Sequence, residues 1–201
     1  LMDQGSGNFD GLIPAGLCAW SRYFLGWAEV KTVSGGEALN LSSFMDGIPG
    51  GIYKVPLSAN EYYLIENRQH DVNEDSVAVG YDSNDRRVEF RADGTIVSDT
   101  QPGVITSIDE YDFGLPGSGI LIWHIDEKVI GQKLADNRIN ADKDRRGVDL
   151  EEADGAQDIG ENYSMLSPGG GSETGVLHDA WFAENEIHLL VNKSDTVSFA
   201  E

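Results

Sequence analysis

Alternation of polar and apolar residues with a period of two most limits how this chain folds. It begins after Trp27 and continues, interrupted by turn signals, to about residue 127. Such alternation is typical of half-buried strands, because successive side chains on a strand point to opposite faces of a sheet. The pattern predicts strands at 28–33, 37–44, 51–57, 61–69, 76–81, 86–91 and 94–98. We therefore expect a mainly antiparallel sheet or a β-sandwich.

The residues before this region predict one helix. In the segment PAGLCAWSRYFLGW apolar residues recur at three and four positions, Pro14 suits the first turn of a helix, and Gly26 suits its end. A helix at 14–26 followed by strands predicts an α+β fold that is mainly β, with two regions, 1–27 and 28–201. No period of 20–50 residues repeats in the sequence, which argues against a solenoid or a propeller.

The segment GSGILIWHIDE, residues 117–127, is the most apolar predicted strand. Because it is apolar on both faces, we expect it to lie between two layers. Alternation places His124 and Asp126 on one face, about 7 Å apart along the strand, and Glu127 on the other. This pair is either the polar end of a core strand or a pair that reaches a cleft. The remaining pattern predicts a helix at 128–135, a short strand within 146–161, a loop at 167–175 and a last strand at 186–192.

Composition excludes several classes of function. The chain has 14 Lys and Arg against 35 Asp and Glu, a formal net charge of −21, which argues against a general binder of nucleic acid or of anionic membranes. No apolar stretch approaches the roughly 18 residues that span a bilayer. The four His include no pair at i, i+4, and Cys18 is the single cysteine. A complete zinc site within this chain is therefore not expected.

Calcium is the ion that the composition favours. In NADKDRRGVDLEEADG the first two acids are spaced as in an EF-hand loop, but the fifth position is Arg146 and the twelfth is Ala153, where a bidentate Glu is required. This excludes an EF-hand. A looser calcium site and a solvated acidic face stay open as alternatives; the site would draw its ligands from Asp142, Asp144, Glu151, Asp154 or Asp158.

Five blocks of sequence, taken in order, resemble the immune inhibitor A family of secreted bacterial zinc metallopeptidases. The blocks are LMDQGS, PAGLCAWSRYFLGW, EYYLIENRQ, LPGSGILIWHIDE and GVDLEEADG, and they cover residues 1 to about 160. The resemblance implies that Met2 is the methionine of the Met-turn beneath the metal. It also implies that helix 14–26 closes the catalytic domain and that an all-β region follows.

The same resemblance implies where the chemistry lies. The zinc ligands and the general-base Glu of a His-Glu-x-x-His helix would precede Leu1, so proteolysis by zinc-activated water would belong to the full-length, secreted protein. Its partners would be protein or peptide substrates, and this segment alone would be inactive. Two alternatives remain. One is a degenerate peptidase without zinc ligands; the other is a β-sandwich module that binds carbohydrate or a protein surface through Tyr53, Tyr62, Tyr63, Tyr81 and Tyr111.

Overall fold

The structure is a computed structural model, and it describes residues 7–34, 36, 38–43, 51–164, 166, 170–185, 189–191 and 196–198, the last two ranges for their backbone only. The fold is mainly β with a few short helices, which confirms the predicted class. In the described ranges the α-helices are α1 (Ala19–Phe24) and α2 (Glu127–Lys133), and the other helices are short 3-10 helices. The strands are β1 (Val30–Thr32), β2 (Ile52–Pro56), β3 (Glu61–Arg68), β4 (Val77–Asp82), β5 (Arg87–Arg91), β6 (Ile96–Val97), β7 (Ile105–Ile108), β8 (Gly119–Asp126), β9 (Val148–Leu150), β10 (Leu189–Val191) and β11 (Thr196–Ser198).

The first sheet has five strands in the order β1-β2-β3-β8-β9. All its neighbours are antiparallel except β1 and β2, which are parallel. Strands β3 and β8 pair along their whole length, from Glu61 opposite Asp126 to Arg68 opposite Gly119. Strand β8 is therefore an interior strand, as its apolar sequence predicts.

Both faces of β8 are covered by apolar side chains. On one face Trp123 and Ile125 belong to the main core, together with Trp20 of α1 and Ile130 of α2. On the other face Ile122 packs in a smaller group with Tyr63 and the partly buried Val55, Ile120 and Trp181. Layers on both sides explain why this strand carries almost no polar alternation.

A second sheet of four strands, in the order β6-β5-β4-β7, lies in sequence between β3 and β8. Its core contains Val88 and Phe90, which pack with Ile13 and Phe113 from outside the sheet. Phe9 adds an edge-to-face contact with Phe90, with ring centroids 5.3 Å apart. The N-terminal segment therefore helps to build the core of this second sheet.

A buried network of charges connects α1 to the first sheet. Glu66 of β3 accepts hydrogen bonds from Ala19 N–H (3.0 Å), from Trp123 Nε1 (2.8 Å) and from the guanidinium of Arg22. Arg68 lies beside Glu66 and forms a two-point ion pair with Asp112, with both N–O distances 2.6 Å. These contacts fix the start of α1 on β3, and no part of the sequence pattern predicted them.

Helix α1 is shorter than the predicted helix at 14–26 because Arg68 takes the carbonyls that would begin it. The Arg68 guanidinium donates to the carbonyls of Gly16 and Leu17, at 3.1 Å each, and Cys18, which precedes the helix, is extended. The prediction of a strand at 37–44 is not met in the described residues 38–43, where Ser43 forms an isolated bridge to Asn67. Strand β7 was not predicted, and its sequence ITSI lacks a clear apolar face.

Candidate metal centre

Four acidic residues that follow β9 in the sequence form a cluster. We call Glu152, Asp154, Asp158 and Asp179 the C-terminal acidic cluster. Glu152, Asp158 and Asp179 are buried, whereas Asp154 is exposed. Asp and Glu are rarely buried to this extent unless a charged partner or a metal compensates them. None of these four residues forms an ion pair with Lys or Arg within the described part of the chain.

Short loops bring the carboxylates of this cluster together. Glu152 follows β9 and accepts hydrogen bonds from the backbone N–H groups of Asp158 (2.8 Å) and Ile159 (3.0 Å), which curls the chain around it. Asp179 accepts from Val176 N–H at 2.6 Å, and its own carbonyl accepts from Ala153 N–H at 3.0 Å. As a result Glu152, Asp154 and Asp179 each place a carboxylate oxygen within 4.8 Å of the other two.

Two buried oxygens of the cluster face no donor. Asp158 Oδ1 and Asp179 Oδ1 have no hydrogen-bond partner among the described residues. Burial, and then repulsion from Asp179 and Asp158, raises the pKa of Glu152 to about 7. Burial, and then repulsion from Asp154 and Asp158, raises the pKa of Asp179 to about 6. The cluster therefore carries negative charge that the surrounding protein stabilises poorly.

The chemistry of these donors fits Ca²⁺. The group offers carboxylate oxygens only, and Ca²⁺ accepts irregular sets of six to eight oxygen ligands. Zinc prefers nitrogen and sulfur donors. No group of possible metal ligands within the described residues contains a His or a Cys. A divalent cation held by Glu152, Asp154 and Asp179 would give Asp179 Oδ1 a partner and reduce the repulsion among these carboxylates.

Two of the residues proposed as calcium ligands from the sequence, Asp154 and Asp158, belong to the C-terminal acidic cluster. Of these, only Asp154 is in the group of three residues whose carboxylate oxygens lie within 4.8 Å of one another. Asp142 and Asp144 lie in an exposed turn, where the Asp144 N–H donates to Asp142 Oδ1 at 3.1 Å. Sequence reasoning missed Glu152 and Asp179. Glu152 is adjacent to a candidate in the sequence, whereas Asp179 comes close only through the fold.

His124 and Asp126 make separate contacts. Asp126 is buried, caps α2 by accepting from the N–H groups of Lys128 (2.9 Å) and Val129 (3.0 Å), and forms an ion pair with Arg145 at 2.9 Å. Burial opposes ionisation of Asp126, but these donors outweigh it and hold its pKa below the usual value. His124 Nδ1 lies 3.6 Å from the buried Glu151 carboxylate. The pair therefore occupies the polar end of a core strand.

Comparison with known proteins adds no further assignment, since no family model, curated protein or solved structure matches this chain. The resemblance to immune inhibitor A peptidases stays a prediction, and Met2 lies outside the described residues. Among the tyrosines considered for sugar stacking, Tyr62 and Tyr63 are both buried. No helix within the described ranges has the length and apolar character needed to cross a membrane.

Proposed function

We propose that this chain is the C-terminal portion of a secreted zinc metalloendopeptidase, in which residues 1–27 complete the catalytic domain and residues 28–201 form the β-rich region that supports it. The order of the five sequence blocks supports the family, and one structural observation carries the proposal. It is an exposed apolar surface on and just after α1, the helix that in this family closes the catalytic domain. We further propose that Ca²⁺ at the C-terminal acidic cluster stabilises the β region.

The α1 apolar surface consists of Tyr23, Phe24, Leu25 and Trp27. All four are exposed, and Trp27 most of all, at 71%. The opposite side of α1 is fixed to β3 through Glu66, so the helix cannot rotate to bury these side chains. Several exposed apolar side chains close together in sequence, on an element that is held in place, are typical of a surface that packs against another protein surface. In the proposed protein, the α1 apolar surface packs against the rest of the catalytic domain.

The catalytic groups themselves are assigned outside the described residues. The groups of possible metal ligands within the described residues contain no His and no Cys. They therefore do not offer the donors of a catalytic zinc site. The zinc ligands and the general-base Glu would lie on a His-Glu-x-x-His helix elsewhere in the full-length protein. The isolated chain is accordingly expected not to cleave casein.

Substitution of the α1 apolar surface in the full-length protein tests the proposal. Phe24→Ser combined with Trp27→Ser should lower casein hydrolysis at least several-fold and lower the unfolding temperature, because the contact with the catalytic domain loses apolar area. Val104→Ser is the control, since Val104 is equally exposed but lies away from α1. It should change neither quantity.

Two outcomes would contradict the proposal. One is full activity and an unchanged unfolding temperature in the double variant. The other is chelator-sensitive casein cleavage by the isolated 201-residue chain, since that would place the catalytic groups within it. If the full-length sequence lacks a His-Glu-x-x-His helix, the degenerate peptidase would be favoured instead.

A further inference from the structure

The loop that leads into β4 has oxygen-bearing side chains at alternate positions. In DVNEDSV, Asp71, Asn73 and Asp75 stand at the first, third and fifth positions, and Glu74 and Ser76 also carry oxygens. The two carboxylate oxygens of Asp71 accept hydrogen bonds from the N–H groups of Asp75 (3.2 Å) and Ser76 (3.0 Å), and Asp75 accepts from Val77 N–H at 2.9 Å. The loop therefore closes around the carboxylate of its first residue.

This arrangement matches the first half of an EF-hand loop. There, oxygen ligands stand at positions 1, 3 and 5, a sharp turn at position 6 is made by glycine, and a bidentate Glu follows at position 12. Here Ser76 makes the turn at the sixth position with a left-handed φ of +62°. The twelfth position is Asp82, whose carboxylate already accepts three backbone N–H bonds at the end of β4. A closing carboxylate must therefore come from elsewhere.

Glu110, which follows β7, occupies that place. It is 1% exposed, its Oε1 accepts from Asn73 N–H at 2.8 Å, and its Oε2 has no hydrogen-bond partner among the described residues. Carboxylate oxygens of Asp71, Asp75 and Glu110 all lie within 4.8 Å of one another. A buried oxygen without a partner, on a carboxylate that lies beside two others, is a sign of a missing cation that does not depend on the loop geometry.

The charges around Asp71, Asp75 and Glu110 also favour a bound cation. No Lys or Arg in the described ranges forms an ion pair with Asp71, Asp75 or Glu110. Burial, followed by repulsion from Asp71 and Asp109, raises the pKa of Glu110. Two backbone N–H groups partly offset this effect, but no positive charge does.

We infer that the loop 71–77 and Glu110 form a Ca²⁺-binding site, separate from the C-terminal acidic cluster. The donors are oxygens, at least three of them are anionic, and an irregular set of this kind suits Ca²⁺ better than the strict octahedron of Mg²⁺. Asp71 and Asp75 precede β4, whereas Glu110 follows β7. The ion therefore connects the segment that enters the second sheet to the segment that leaves it.

Calcium titration of the full-length protein tests this inference. After treatment with EGTA, Ca²⁺ binding is measured by isothermal titration calorimetry in the wild type, Glu110→Gln and Glu74→Gln. Gln keeps the size of Glu110 and an acceptor for Asn73 N–H. Glu74→Gln is the matched control, because it removes the same charge from an exposed side chain of the same loop that is not in the carboxylate group. We expect Glu110→Gln to lose one bound Ca²⁺ and Glu74→Gln to lose none.

Further variants separate this site from the proposed function. Asp75→Asn changes an exposed ligand, so it should fold normally and reproduce the loss if Glu110→Gln folds poorly. Asp179→Asn acts on the C-terminal acidic cluster and should leave the Glu110-dependent binding intact. The inference is overturned if Glu110→Gln and Asp75→Asn both bind Ca²⁺ with wild-type stoichiometry. It is also overturned if Mg²⁺ binds to this site as tightly as Ca²⁺.

Discussion

The two oxygens of Asp179 have opposite surroundings. Oδ2 accepts the N–H of Val176, whereas Oδ1 is buried and has no hydrogen-bond donor among the described residues. Asp154 and Asp158 repel the charge of this carboxylate. At neutral pH this carboxylate is mostly ionised, because its pKa is raised only to about 6. Without a cation, the protein therefore carries a buried charge that its neighbours repel.

Replacing Asp179 by Asn should change stability in opposite directions with and without Ca²⁺. In EGTA at pH 7 we expect the variant to be more stable by about 1–2 kcal/mol, since a shift of one pKa unit corresponds to about 1.4 kcal/mol. With Ca²⁺ in excess the variant should be the less stable protein, because a charged ligand is lost. Thermal unfolding in both conditions measures this, with Asp99→Asn as an exposed control of equal charge. Equal shifts in both conditions would contradict a cation at the C-terminal acidic cluster.

The raised pKa of Asp179 also predicts that the stability of the protein depends on pH. Because the pKa of Asp179 is higher in the folded state than its ordinary value of 3.8, its favourable contribution is complete below pH 3.8 and is lost as the pH rises through about 6. In EGTA the wild type should therefore lose stability relative to Asp179→Asn across this window. Glu152 extends the loss of wild-type stability to about pH 7. Urea unfolding between pH 4 and pH 8 checks the direction; a gap between the two proteins that stays constant would contradict it.

At the scale of elements, the strand β8 and the helix α2 meet at one residue, Asp126. Its carboxylate caps the first turn of α2 and also holds Arg145, so the position where the strand ends determines where the helix begins. A side chain at this position that accepts no hydrogen bond would leave the N–H groups of the exposed Lys128 and the buried Val129 without this partner.

Asp126→Ala should destabilise the protein by about 2 kcal/mol, which is near the upper limit for loss of an N-cap, because the ion pair with Arg145 is lost as well. Asp126→Ser should recover part of this loss, since its hydroxyl still caps the helix. If the chain belongs to a peptidase, as proposed, His124→Ala in that peptidase should change the activity per folded molecule little. Chemical unfolding and casein hydrolysis are the measurements. A variant of Asp126 with wild-type stability but no activity would indicate a catalytic role instead.

Local alternation predicted most strands, because the pattern depends on neighbours in sequence. The segments 51–57 and 61–69 match β2 and β3 closely. The start of α1 was not predictable in this way, since Arg68, far away in sequence, binds the carbonyls of Gly16 and Leu17. The same limit applies to the candidate site: the sequence indicated Asp154, but the fold alone brings Asp179 beside it.

At the scale of the whole molecule, the ion pair between Arg68 and Asp112 connects the first sheet to the segment beside the core of the second sheet. Arg68 belongs to β3 of the first sheet, and Asp112 precedes Phe113 in the core of the second. Glu66 and Arg22 extend the network to α1. A single buried guanidinium therefore contacts three parts of the chain.

Arg68→Met should destabilise the protein by about 3–5 kcal/mol, because it leaves Asp112 buried without a counter-charge. Arg87→Met is the control: it breaks an exposed ion pair with Glu89 and should cost no more than about 1 kcal/mol. Denaturant unfolding of both variants measures the difference. If the double variant Arg68→Met/Asp112→Leu recovers stability, the loss arises from the unpaired carboxylate; similar values for Arg68→Met and Arg87→Met would contradict the importance of the network.

The chain leaves the first sheet after Arg68, builds the second sheet, and returns to the first sheet at Gly119. Because Arg68 pairs with Gly119, these two points are neighbours. A segment whose ends already touch can change in length during evolution without disturbing the register of β3 and β8. Asp112 limits this freedom, because it lies inside that segment and neutralises Arg68. Relatives that shorten the segment should therefore either keep an acid at this point or replace Arg68 together with it.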